Sequence, residues 1–227
     1  MSLQVVIIVF QVIVFLFAIS VHESAHAWMA DRCGDPTARM LGRVTLNPLR
    51  HIDPFGTVIL PIILLVLGAP VFGWAKPTPV NTRNFRKVVK YDILTSMAGP
   101  ASNMLVACAA TLLLALIALS SQLGNMMVKE LSKHGALLDT ASPLQPVIVL
   151  LYEAMFINVL LAVFNLIPIP PLDGSHVIRH FLSERVLRVY DMVGMFGIVL
   201  LFVVGGRLIT LMMAPFLAFF NALLMRI

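Results

Sequence analysis

From Leu3 to Val21 the chain runs nineteen residues without a charged side chain, and His22-Glu23-Ser24-Ala25-His26 follows directly. A helix rises 1.5 Å per residue and a bilayer's hydrocarbon core is about 30 Å thick, so such a run crosses a membrane. More apolar runs follow: the short 55–72, which carries Pro61, Gly68 and Pro70, then 93–119 and 147–167. The stretch 189–225 is long enough for two spans hinged at Gly205-Gly206-Arg207. With 59% hydrophobic and only 12% charged residues, a soluble fold would have to expose large apolar patches. The same numbers exclude disordered and collagen-like classes, and two cysteines, Cys33 and Cys108, make no disulfide framework. The expected fold is an all-α polytopic membrane protein of about five spanning helices, with 55–72 as a re-entrant segment. It is read as one domain over 1–227, with a core at 3–174 and a C-terminal helical hairpin at 189–225.

The net charge of +5 does not point to nucleic acid, because the basic residues lie in short stretches between the runs. No Lys or Arg precedes the first run, so the charged start of a signal peptide is missing, and the first basic residue is Arg32. The N-terminus is therefore expected outside, and the far end of the first helix in the cytoplasm. Arg32, Arg39, Arg43 and Arg50 precede 55–72, and Lys76, Arg83, Arg86, Lys87 and Lys90 follow it. Both flanks favour the cytoplasm, so this run should dip in and return. The link 120–146 is then expected outside.

Two histidines at i and i+4 project from one helix face and can bind one Zn²⁺ at about 2.0–2.1 Å. Glu23, beside the first, can take a proton from a water held by the metal. An ionisable cluster in a span is costly and usually faces a functional cavity. Zinc enzymes need a third protein ligand and an open position. Asp31, Asp35 and Asp53 are near but lie in loop-like sequence. The favoured third ligand is Asp173, in Asn165-Leu166-Ile167-Pro168-Ile169-Pro170-Pro171-Leu172-Asp173-Gly174, where three prolines leave unwound backbone at the end of a span.

These motifs resemble the site-2 proteases, a family of intramembrane zinc metalloproteases. His22–His26 matches its HExxH, and Asn165–Gly174 its N-x-x-P-x-x-x-x-D-G signature. Gly99-Pro100-Ala101-Ser102-Asn103 matches its G-P-x-x-N element. Gly42–Pro48 and Phe72–Asn81 resemble a small subgroup without attached PDZ-like or CBS-like domains. The resemblance implies His22, His26 and Asp173 as ligands of one Zn²⁺ per chain, with Glu23 as general base. It implies Asn165 as a substrate-binding group on the scissile peptide or its oxyanion. The implied partners are a transmembrane protein substrate and the lipid bilayer. The implied setting is a prokaryotic plasma membrane, with the active site towards the cytoplasm. The alternative is a catalytically silent metal-binding membrane protein, a zinc carrier or a scaffold. Glu23 speaks against it, since a carrier needs no base beside its ligands.

A small β element is also considered within 42–81, from Val44-Thr45-Leu46 and Trp74–Val80, as an edge for an unwound substrate. His176 ranks below Asp173 as a ligand. Glu153 is an intramembrane acid without a visible partner, and Asn158 is a candidate for bonding between helices.

Overall fold

The computed structural model describes residues 3–66, 73–135 and 142–227. Its described residues form α-helices and short turns, with no strand. The helices are α1 (Leu3–Arg32), α2 (Thr37–Met40), α3 (Leu60–Val66), α4 (Val88–Ser120), α5 (Gln122–His134), α6 (Leu144–Asn165), α7 (Asp173–Arg179) and α8 (Glu184–Met225). Among the described residues four stretches are long and apolar enough to cross a membrane: Val6–Arg32, Val88–Ser120, Leu144–Asn165 and Arg207–Met225. The chain is an all-α, polytopic, integral membrane protein.

The chain divides into two compact units, Met1–Ala18 with Asn103–Ile227, and Ile19–Ser102. The first is a helical bundle. From α4 it buries Ala107, Ala110, Leu114 and Ala118; from α5 Met127, Val128 and Leu131; from α6 Ile148, Met155, Val159 and Val163; and from α8 Met213, Phe220 and Leu224. The α4 positions recur every three or four residues and are mostly alanine, which lets neighbouring helices approach closely without a hydrophobic driving force in lipid. The start of α1 joins through Val14 and Ala18 against Ile157. Asn103 Nδ2 donates to Asn158 Oδ1 at 2.8 Å and to the Ala18 carbonyl at 3.2 Å, while Asn158 Nδ2 donates to the Ala154 carbonyl at 2.8 Å. Both asparagines are fully buried. Asn158 is thus the interhelical link its sequence position suggests. Glu153 also has a partner: Gln11 Nε2 stands 3.3 Å from both its carboxylate oxygens.

The second unit is held by polar side chains that each take several backbone groups. Asp35 is fully buried. It accepts from the Thr37 N–H and hydroxyl, from Asn84 Nδ2 at 2.8 Å and from the Asn81 N–H at 2.7 Å. Burial, the largest single influence, pushes its carboxyl up, but these bonds together outweigh it and hold it below the ordinary carboxylate range. Buried Arg43 donates to the Arg50 carbonyl and, at 2.8 Å each, to those of Lys76 and Pro77. Ala30, Cys33 and Phe85 pack beneath.

Two expectations are corrected. First, 189–225 is not a hairpin, because α8 runs unbroken through Gly205-Gly206. Glycine weakens a helix by about 1 kcal/mol but removes no donor, and lipid gives freed backbone groups no water to bond. Among the described residues one stretch of α8, Arg207–Met225, is long and apolar enough to cross a membrane. Second, neither proposed strand of the 42–81 element forms. Pro77 and Pro79 have no N–H to give a ladder, and side chains take the carbonyls of Thr45, Lys76 and Pro77. Within the link 120–146, α5 occupies Gln122–His134 and buries one face.

The re-entrant reading of 55–72 fits the described residues. A π-helical turn at Pro54–Ile59, capped by the Asp53 side chain, leads into α3. Together they cover Pro54–Val66, about 20 Å at a helical rise and too short for the hydrocarbon core. The chain then comes back to its start. The Trp74 N–H donates to the Gly56 carbonyl at 3.2 Å, and Thr57 Oγ1 to the Trp74 carbonyl at 2.7 Å. Residues 67–72 lie outside the described residues.

Candidate metal centre

His22 and His26 stand one turn apart on α1 and are both buried. Their rings meet edge to face, and their Nε2 atoms are 3.0 Å apart. Two nitrogens on a tetrahedral zinc at 2.0–2.1 Å would be separated by about 3.3 Å, close to this spacing. His26 Nδ1 lies 2.7 Å from the Thr95 carbonyl. A carbonyl only accepts, so Nδ1 carries the proton and Nε2 presents its lone pair. This outer hydrogen bond is the kind that orients a metal-binding imidazole. Pro100, inside α4, has no N–H for the Ser96 carbonyl, which opens the helix backbone beside the turn that receives His26.

Gly99 shapes the space in front of the two rings. A Cβ placed there would stand 2.6 Å from His22 Nε2 and closer still to His26 Nε2. The absent side chain leaves a cradle beside both nitrogens, so this part of the donor set fits a metal ion.

Glu23 is partly buried. Its Oε2 accepts from the Thr78 N–H at 2.8 Å and from Thr78 Oγ1 at 2.7 Å. Ser24, next in the motif, donates through Oγ to the Thr45 carbonyl and accepts from the Thr45 N–H at 3.2 Å. His51 Nε2 meets the same carbonyl at 2.8 Å.

In the other unit, Asp173 is the first residue of α7 and is partly buried. The proline run before it includes a cis Pro170–Pro171 bond. Gly174 explains the Asp-Gly pair, because a Cβ there would collide with the Leu166 carbonyl. Without one, the first turn of α7 packs directly on the end of α6. Asn165 closes α6 and donates from Nδ2 to the Leu161 carbonyl at 2.9 Å. His176 lies one turn into α7 from Asp173.

The three nearer aspartates have other partners. Asp31 pairs with Arg39 at 3.2 Å, Asp35 holds the Thr37, Asn81 and Asn84 donors, and Asp53 caps the Pro54 turn. Sequence reasoning gave no role to Gly99 or Thr78. The signals were present, a glycine-proline pair inside an apolar run and a threonine between two prolines, but neither says what approaches it.

A membrane-embedded helix with converging histidines and a carboxylate between them defines a polytopic protein of metallopeptidase type. Residues 10–204 match the family model described as Peptidase family M50, and the chain belongs to that family, the site-2 proteases. A protein of Bacillus subtilis (strain 168) named "Putative zinc metalloprotease YwhC" is 39% identical over 175 residues, which are 77% of this chain and 70% of that protein. Two proteins named "Putative zinc metalloprotease Rip2", from Mycolicibacterium smegmatis and Mycobacterium tuberculosis (strain H37Rv), are each 27% identical, over 77% and 83% of this chain. This chain spans 58% and 63% of their lengths. No solved structure matches it.

Proposed function

We propose that the chain is a zinc-dependent intramembrane endopeptidase. It hydrolyses peptide bonds within or near transmembrane segments of membrane-protein substrates. In this reading the HExxH histidines His22 and His26 and the aspartate of the Asp-Gly pair, Asp173, are the ligands of one zinc per chain. The observation that carries the reading is the meeting of the His22 and His26 Nε2 atoms beside Gly99, with Glu23 fixed next to them. The relatives' names support zinc and peptidase chemistry. Bound zinc supplies a Lewis acid and brings the pKa of a coordinated water to about 7.

A substrate helix has its amides satisfied, so it must unwind before water can reach a carbonyl. Glu23 accepts the proton of the attacking water and delivers it to the leaving amine. Asn165, at the unwound end of α6, holds the scissile peptide through its amide. With 55–72 returning to its own side, α4 and α6 bring the chain back to the cytoplasmic face before Asp173. We place the centre towards the cytoplasm of a prokaryotic plasma membrane.

The test is Glu23→Gln. The variant keeps its zinc, while cleavage falls by about 10²–10⁴. Single-span proteins that accumulate in cells carrying it, compared with wild type, identify the substrates. Near-normal processing by E23Q would instead support the carrier or scaffold.

A further inference from the structure

Thr78 stands between Pro77 and Pro79, so its N–H is the only backbone donor in three residues. That N–H goes to Glu23 Oε2. The Thr78 hydroxyl lies 2.7 Å from the same oxygen and 3.0 Å from the Glu23 backbone carbonyl. Among the described residues Oε1 has no hydrogen-bond partner. The carboxylate is therefore gripped by one oxygen and free at the other.

The grip is itself anchored. Arg43 fixes the carbonyls of Lys76 and Pro77, and the Lys76 N–H donates to the His51 carbonyl at 2.9 Å. Two residues earlier Trp74 is tied to Gly56 and Thr57. Thr78 is thus the end of an extended arm fastened along its length, and the prolines on either side fix its backbone further. A glutamate has three side-chain torsions to settle, and an unheld one would spread over several rotamers.

We propose that Thr78 is the positioning residue of Glu23. It holds Oε2 so that Oε1 stays presented for proton transfer. This rests on the peptidase reading above. The same bonds change the role considered for 74–80. Its N–H groups at Trp74, Lys76 and Thr78 are all engaged within the chain, so the arm serves the glutamate rather than pairing along that edge with substrate.

The test uses Thr78→Val, which keeps the shape and the N–H but removes the hydroxyl. The chain has only four glutamates, Glu23, Glu130, Glu153 and Glu184. Carbon-13 labelling of their carboxyl groups gives four NMR signals in micelles, and the one missing from E23Q is that of Glu23. T78V should shift it, and T78S should return it. With a protein that accumulates in E23Q cells as substrate, T78V should lower kcat about tenfold, the scale of one lost hydrogen bond to a charged group. KM should stay within twofold, zinc content should be unchanged, and T78S should recover most of the loss. T78A, which puts no methyl in place of Oγ1, should follow T78V. An unshifted signal, a full kcat, a rise in KM alone or a loss of zinc would each overturn the proposal. A normal T78V beside an inactive E23Q removes this inference alone, whereas an active E23Q removes the peptidase reading.

Discussion

Gly99→Ala separates the demands of the helix from those of the metal. In the interior of α4 alanine is the better residue, and by propensity the change stabilises the fold by about 0.5–1 kcal/mol. The geometry points the other way. The new methyl would stand 2.6 Å from His22 Nε2, while ordinary contact begins at 3.4 Å, so that nitrogen must retreat by 0.8 Å, and His26 Nε2 by more. Metal–ligand distances tolerate about 0.2 Å. The rings cannot both retreat freely, because they share one helix face and His26 is tied to the Thr95 carbonyl. Loss of an outer-sphere contact alone costs about 10–100-fold in metal affinity. Displacing two ligands should cost at least about 100-fold. The assay is zinc competition against a chelator, paired with thermal unfolding of the metal-free protein in detergent. G99A should lose zinc, while its metal-free form should still unfold cooperatively, which separates loss of the site from failure to fold. Zinc affinity equal to wild type would refute the reasoning, because it would mean that the space beside Gly99 is not where the metal binds.

His22→Ala and Asp173→Ala should each lower bound zinc well below one per chain, and undiminished zinc in either would remove that residue from the ligand set. Asp35 has a depressed carboxyl, so its contribution to stability is fully present above its unfolded value, near pH 4, and is lost as the pH falls through its folded value. Asp35→Asn should therefore flatten the acid limb of stability below about pH 4, and should cost roughly 1–3 kcal/mol at neutral pH by mismatching a buried acceptor. Arg43→Lys keeps the charge but cannot span three carbonyls, and should lower stability by about 1.5–3 kcal/mol, read as a fall in melting temperature. In a chain without Cys33 and Cys108, cysteines at Ser142 and Arg83 should be labelled from opposite sides of the membrane; labelling from one side would end the re-entrant account of 55–72.

What could be read from the sequence was whatever is set within one element. The i, i+4 histidines needed only a helix, and the apolar run before them guaranteed one. The expected return of 55–72 came from its length and basic flanks, which act locally, and the bond from Trp74 to Gly56 is consistent with it. The failures are non-local. The Gly205-Gly206 pair resembles a hinge only if water is available to the freed backbone. The proposed strands had suitable residues, but Arg43 and His51 reached the carbonyls first. Asp35 had the residue type and the proximity of a ligand, and only the arrival of Asn81 and Asn84 from far along the chain shows that it is a structural acceptor. Glu23 shows the same limit from the other side. Its place beside His22 says that it can act as a base, but which of its oxygens is available depends on Thr78, 55 residues away. Chemical type is written in the motif, while its orientation comes from an arm the motif does not contain.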